Sequence, residues 1–148
     1  MKHFASPPKA VTRLLSSRRV AVLATHDHGQ PYTSLVAFAA TDDLKSLVFA
    51  TPRATRKYAN ISADERVAMM VDNRSNEADD LRGAVAVTAI GKVHEVKRKG
   101  SSRYLTLLIA KHPDLEEFVI GAGQALLTVI VDKYVVVSRF QQVREYQV

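Results

Sequence analysis

Leu47-Val48-Phe49-Ala50-Thr51-Pro52-Arg53-Ala54-Thr55-Arg56-Lys57 is the stretch that decides how the chain is read. Its first four residues are an apolar run of strand length. Pro52 interrupts the run, and Thr55 suits the N-cap of a helix starting at Arg56, because its hydroxyl can accept a first-turn amide. The charges that follow oppose the helix. A first turn carries partial positive charge and favours acids over bases by about 0.3–1 kcal/mol. Here Arg53, Arg56 and Lys57 crowd that turn with no acid among them. Free amides, arginine and lysine at a helix start form a site for an anion, and phosphate suits it best. A local rule broken at one place marks functional pressure there. The competing reading is a solvated basic loop, since a chain with 21 Lys+Arg places some cations at helix starts by chance.

Working outward, the neighbouring segments read mostly as strands. Segments 20–25, 32–40 and 46–51 are strand-like, separated by turns at His26-Asp27-His28-Gly29-Gln30 and Thr41-Asp42-Asp43. This pattern predicts an antiparallel meander. Pro31 is tolerated at a strand start. A further strand spans 66–72. The polar run 73–80 reads as a mobile loop. Residues 84–96 alternate, with Val85, Val87, Ala89 and Val93 on one face, and Gly91 suggests a bulge. The last strands are expected over 125–131 and 134–140, joined tightly at Asp132-Lys133.

Helices are fewer and peripheral. An amphipathic one is expected over 7–19, with Val11, Leu14 and Leu15 inward. Another spans 102–111 and stops at His112-Pro113. Asp114-Leu115-Glu116-Glu117 has the form of a capping box for a short helix that Gly121 ends. The fold expected is mainly β, with six or seven strands that pack as two sheets or close into a barrel.

The length of 148 residues suits one domain, and a hydrophobic content of 47% argues against disorder. With no cysteine, disulfides, thiolate metal sites and cysteine nucleophiles are excluded. The first residues lack the apolar core of a signal peptide, and the apolar runs are too short to span a membrane. A soluble, cytoplasmic protein is expected. The net charge of +6 comes without aromatic-interleaved basic motifs, so nucleic acid is a weaker expectation than a phosphorylated ligand.

Taken in order, these motifs resemble the FMN-binding split barrels related to pyridoxamine 5′-phosphate oxidase. The resemblance covers roughly 18–96: the turn Gly29-Gln30-Pro31, the strand Ser34-Leu35-Val36-Ala37-Phe38, the strand ending Phe49-Ala50-Thr51, the tripeptide Thr55-Arg56-Lys57, Asn60, and the strand 66–71. It implies an antiparallel six- or seven-stranded split β-barrel of Greek-key type, with a few peripheral helices. It also implies FMN as cofactor, its phosphate on Thr55, Arg56 and Lys57 with help from Arg53. Thr51 would meet the ribityl or phosphate end, and the backbone of Ser34, Leu35, Val36 and Ala37 would run along the isoalloxazine ring. Split barrels of this kind hold flavin at the interface of a twofold homodimer, which makes loop 73–80 or the stretch 135–148, with Arg139, the expected second wall.

The sequence departs from the family in three places. No basic residue stands on the strand 34–39, the oxidase's C-terminal substrate motif is missing, and no histidine follows His112 to serve as the haem ligand of haem-degrading relatives. The expectation is therefore an FMN-dependent oxidoreductase other than the oxidase itself, moving hydride or electrons between a nicotinamide donor and an unidentified acceptor. A non-catalytic flavin or haem carrier on the same barrel is the alternative.

Other residue groups carry weaker readings. His26-Asp27-His28 offers metal-type ligands, but adjacent turn residues rarely converge, so no metal is expected. Asp79-Asp80 and Glu116-Glu117 read as solvated or capping acids. Ser34 lacks a nucleophile elbow, and Met69 and Met70 read as barrel wall.

Overall fold

The computed structural model describes residues 2–4, 7–139 and 141–148. Among them are eight strands: β1 (Lys2–Phe4), β2 (Val20–Asp27), β3 (Gln30–Ala40), β4 (Ser46–Pro52), β5 (Arg66–Asp72), β6 (Ala86–Glu95), β7 (Gln124–Ser138) and β8 (Gln142–Gln147). The α-helices are α1 (Lys9–Ser17), α2 (Arg56–Ala63), α3 (Asp80–Gly83), α4 (Arg103–Lys111) and α5 (Glu116–Ile120). None is long and apolar enough to cross a membrane. The strands form one sheet in the order β1-β8-β7-β4-β3-β2-β5-β6, and a further pairing returns its last strand, β6, to β7. Six antiparallel strands, β7-β4-β3-β2-β5-β6, therefore close into a barrel. β8 extends β7 outside the ring, with β1 parallel to it.

Side-chain alternation fills the barrel. β5 shows it cleanly: Val67, Met69 and Val71 are buried while their neighbours face outward, the pattern of a strand with one covered face. Leu23, Phe38, Phe49, Val87, Leu127 and Tyr134 join them in the core, and α1 adds Val11, Leu14 and Leu15. β4 is buried on both faces, which explains its continuous apolar run. Its outer face packs under α4 and α5, where Val48 and Leu126 meet Leu105, Leu108 and Val119.

The structure changes four expectations. Asp132-Lys133 is no turn: β7 runs unbroken for 15 residues. Ile90 pairs with Lys133 and Gly91 with Val131, so Asp132 is an extra residue, a bulge. There β7 exchanges its second neighbour, from β4 to β8. A bulge and a turn share polar residues, which is why the sequence misleads. The real hairpin is the β7–β8 turn, with Arg139 and Gln141 at positive φ. β8 lies beyond 134–140, the last strand expected, and Phe140 lies outside the described residues. The Asp114–Glu117 capping box does not form, because the N-cap of α5 is Leu115, with no side-chain bond. The loop 73–80 is tightly organised. The Asp80 carboxylate accepts the amides of Ser75, Asn76 and Glu77 at 2.7–3.1 Å, and these bonds, that of Ser75 foremost, hold its carboxyl below the usual range.

Gly91 sits where the bulge brings backbones together. A Cβ there would overlap the Ile130 carbonyl oxygen, so β6 needs glycine at this point.

Candidate functional site at the split between β3 and β4

β3 and β4 pair only through Phe38, Ala39 and Ala40 with Phe49, Val48 and Leu47. Towards the start of β3 the two strands part. From Gln30 to Ala37, β3 pairs with β2 on one side and has no strand on its β4 side. Its backbone amides and carbonyls there form a free edge. A pocket of about 220 Å³ occupies the split, lined by Leu35, Val36 and Ala37, by Ala50 and Pro52 of β4, by Lys57, and by Leu108, Leu115, Phe118 and Val119 from the helical side. Alternation sends the side chains of Leu35 and Ala37 outward to this pocket, whereas Val36 is buried in the core. Ser34 faces inward as Val36 does, and its hydroxyl is buried with no hydrogen-bond partner.

The loop from β4 to α2 is built by two threonines. Thr55 is the N-cap of α2, and its Oγ1 accepts the Tyr58 amide at 3.3 Å. The same hydroxyl donates to the Pro52 carbonyl at 2.9 Å. Fully buried Thr51 lies 3.1 Å from it. The Thr51 hydroxyl also lies 3.4 Å from the Pro52 carbonyl, so the two hydroxyls and that carbonyl form one small network. Both hydroxyls therefore shape the loop. The amides of Arg56 and Lys57 lie in the first turn, where the helix offers no acceptor.

The three cations of the motif separate. The Arg53 guanidinium donates to Glu95 Oε2 at 3.0 Å and to the Ala122 carbonyl at 2.9 Å, and its amide donates to the Gly123 carbonyl at 3.1 Å. Tyr58 Oη donates to the other Glu95 oxygen at 2.6 Å. That bond first, and the Arg53 bond after it, hold the Glu95 carboxyl below its usual range. Lys99 braces the same loop, its Nζ donating to the carbonyls of Val119, Gly121 and Gln124 at 2.7–3.0 Å. Burial pulls this ammonium below its ordinary value.

Arg56 is mostly exposed, 3.4 Å from Asp27 on the β2–β3 turn, a surface pair worth little. Lys57 is half-buried at the edge of the pocket. Arg56 and Lys57 are thus the cations available to an anion at the α2 start, and Arg53 ties the loop to β6.

The remaining candidates lie elsewhere. Arg139 is exposed in the β7–β8 turn, while Gln124, at the other end of β7, pairs with Pro52 beside the loop. At about 3.3 Å per residue these ends are tens of ångströms apart, so Arg139 does not reach the pocket of its own chain. The imidazoles of the β2–β3 turn diverge: His26 Nδ1 accepts the Gly29 amide at 3.2 Å and its Nε2 faces Asp64 at 3.0 Å, whereas His28 turns to Asp27. Asn60, buried in α2, donates to Thr25 of β2 at 3.0 Å and fixes the helix on the barrel.

Glu95, Tyr58, Lys99 and Phe118 escaped the sequence reading. Glu95 is 42 positions from Arg53, and nothing in the local pattern marks the pair. Phe118 and Leu35 are exposed apolar side chains, 43% and 69% accessible, and both border the pocket.

The comparisons with known proteins agree with this architecture. A family model described as pyridoxamine 5′-phosphate oxidase matches residues 7–145. A Schizosaccharomyces pombe pyridoxamine 5′-phosphate oxidase homolog is 27% identical over 124 residues, which cover 75% of this chain and 65% of that protein. This chain is therefore similar to somewhat less than two thirds of that relative's length. Among solved structures, a heme binding protein from Mycobacterium smegmatis superposes with a TM-score of 0.81 at 17% identity, covering 97% of this chain and 60% of that one. A FAD-binding protein from Mesorhizobium loti gives 0.66 at 22% identity, covering 88% and 93%. At these identities the structures speak for the fold. The family match spans nearly the whole barrel, including the split, the α2 loop and the closing strand: the chain belongs to the pyridoxamine 5′-phosphate oxidase family.

Proposed function

We propose that the protein is an FMN-binding flavoprotein, an oxidoreductase that passes hydride or electrons from a nicotinamide donor to a small-molecule acceptor. The observation that carries this reading is the split itself. A free strand edge on β3 borders a pocket whose rim holds Lys57 and the start of α2. A flavin needs amide and carbonyl partners along its pyrimidine edge and charge-assisted donors at its phosphate. The β3 edge over Ser34, Leu35, Val36 and Ala37 supplies the former, and Lys57, Arg56 and the first-turn amides of α2 supply the latter. Thr51, Thr55 and Arg53 hold that loop in shape. Bound there, the flavin supplies the redox chemistry, and the protein orients it and excludes water.

A pocket of about 220 Å³ falls below the roughly 300–1,000 Å³ of a typical ligand site. One subunit therefore offers one wall. A twofold homodimer completes two equivalent sites, and exposed Leu35 and Phe118 are the apolar rim that a partner would cover. Arg139, remote from its own pocket, is then a contact contributed across the interface. A cytoplasmic location fits a cysteine-free protein of this chemistry.

The second reading, a carrier that holds flavin or haem without turnover, draws on the heme binding neighbour of the same fold. Two spectra separate the readings. Freshly purified protein with flavin bands that bleach on adding NADH or NADPH supports the oxidoreductase. Flavin bands that resist both donors support the carrier, and a Soret band in place of flavin bands would overturn the FMN assignment.

A further inference from the structure

On the other flank of α4 lies a second cavity, of about 340 Å³, between α1, α4 and the β3–β4 turn. Its wall is largely apolar, with Leu44, Leu107 and Ala110 among the lining residues, and Lys111 is its cation. The Lys111 ammonium has three donors. One goes to the Leu15 carbonyl at 2.9 Å, and the charge stands 3.9 Å from the centroid of the Phe38 ring. Among the described residues no carboxylate lies within ion-pair distance of it; the nearby Arg19 adds like charge and is itself paired with Asp114 at 3.4 Å. Burial, and after it Arg19, pull the amine down to about 8. A half-buried cation without a carboxylate partner is costly to keep in a fold, and here its side chain lines a largely apolar cavity.

We propose that this cavity is a ligand site distinct from the β3–β4 split, and that it takes a small carboxylate with a hydrocarbon chain, the carboxylate against Lys111 and the chain along Leu44, Leu107 and Ala110. The anion compensates the cation in a poorly solvated place, where the pairing is strongest, and the chain removes apolar wall from water. Asp42, an exposed lining residue on the turn, repels the carboxylate and so favours its placement against Lys111.

The test is calorimetric titration of octanoate and of octan-1-ol into the full chain. Octanoate should bind one per chain, with octanol weaker by about tenfold or more, because it lacks the charged partner. Lys111→Met should erase that preference. Lys111 also caps the end of α1, so this variant could fail to fold. Ala110→Trp, at an exposed position on the cavity mouth, should then block octanoate without lowering the melting temperature. Saturating FMN should leave octanoate binding unchanged. Absence of octanoate binding, equal binding of the alcohol, survival of binding in Ala110→Trp, or competition with FMN would each overturn the proposal and leave Lys111 a helix cap.

Discussion

Thr55 concentrates three roles in one hydroxyl: it caps α2, closes the loop onto Pro52, and meets the Thr51 hydroxyl at 3.1 Å. Thr55→Ala should therefore cost about 1 kcal/mol or somewhat more, as lost N-caps do. Urea denaturation measures this, and an unchanged midpoint would refute the role. Arg56→Ala and Lys57→Ala should leave stability intact, because neither side chain is anchored in the core. Each should weaken FMN binding by about 1.5–3 kcal/mol, the usual loss for a charged hydrogen-bond partner. Their effects should not add, since in the proposed site both serve one phosphate; flavin fluorescence titrations of the single and double variants decide this. Glu95 acts at the back of the loop. Its folded pKa is depressed, so its contribution to stability is complete above its ordinary value of 4.5 and is lost as pH falls through the lower folded value. Glu95→Gln should therefore lower the melting temperature most at neutral pH, and the gap from the native protein should close in acid. A gap independent of pH would contradict the network with Tyr58 and Arg53.

At the scale of elements, the sequence was most legible where one rule acted alone. β5 follows strict alternation and matched its expected bounds of 66–72. The Thr55 cap and the helix behind it followed from hydroxyl chemistry, against the charge pattern of the first turn. Gly91 marked the irregularity in its strand, but the extra residue of the bulge is Asp132 on the facing β7. Legibility failed where two structures share one composition. Asp132-Lys133 suits a hairpin as well as a bulge, and only the paired register of β6 tells them apart. The capping box at Asp114 failed because His112-Pro113 starts a 3₁₀ turn that shifts the helix start to Glu116. The site was half legible. The loop was visible as a motif, whereas the free edge of β3 is a property of which strands pair, and the Arg53–Glu95 bond joins residues that no local pattern connects. Gly91→Ala tests the bulge. Its Cβ meets backbone, which cannot step aside as a flexible side chain can. The variant should lose about 1–3 kcal/mol or more, the cost of overpacking, in denaturant unfolding. A neutral outcome would show that β6 and β7 approach less closely.

At the scale of the whole molecule, the split between β3 and β4 lies beside exposed Leu35 and Phe118. A flavin laid on the β3 edge of a single chain would keep one face in water. The account therefore requires a dimer of twice 16.3 kDa. Leu35→Lys, at a side chain already 69% accessible, should spare the monomer fold, shift the mass measured by light scattering towards one chain, and cost flavin affinity. A dimer that persists with Leu35→Lys would remove that rim from the interface. The central claim is that an anionic phosphate on the 51–57 loop anchors the ligand in the split, and it is tested most directly by titrating FMN and riboflavin in parallel and following flavin fluorescence. FMN should bind far more tightly than riboflavin, and Lys57→Ala should narrow the difference. Equal affinity for the two, or a difference that Lys57→Ala leaves intact, would contradict that claim.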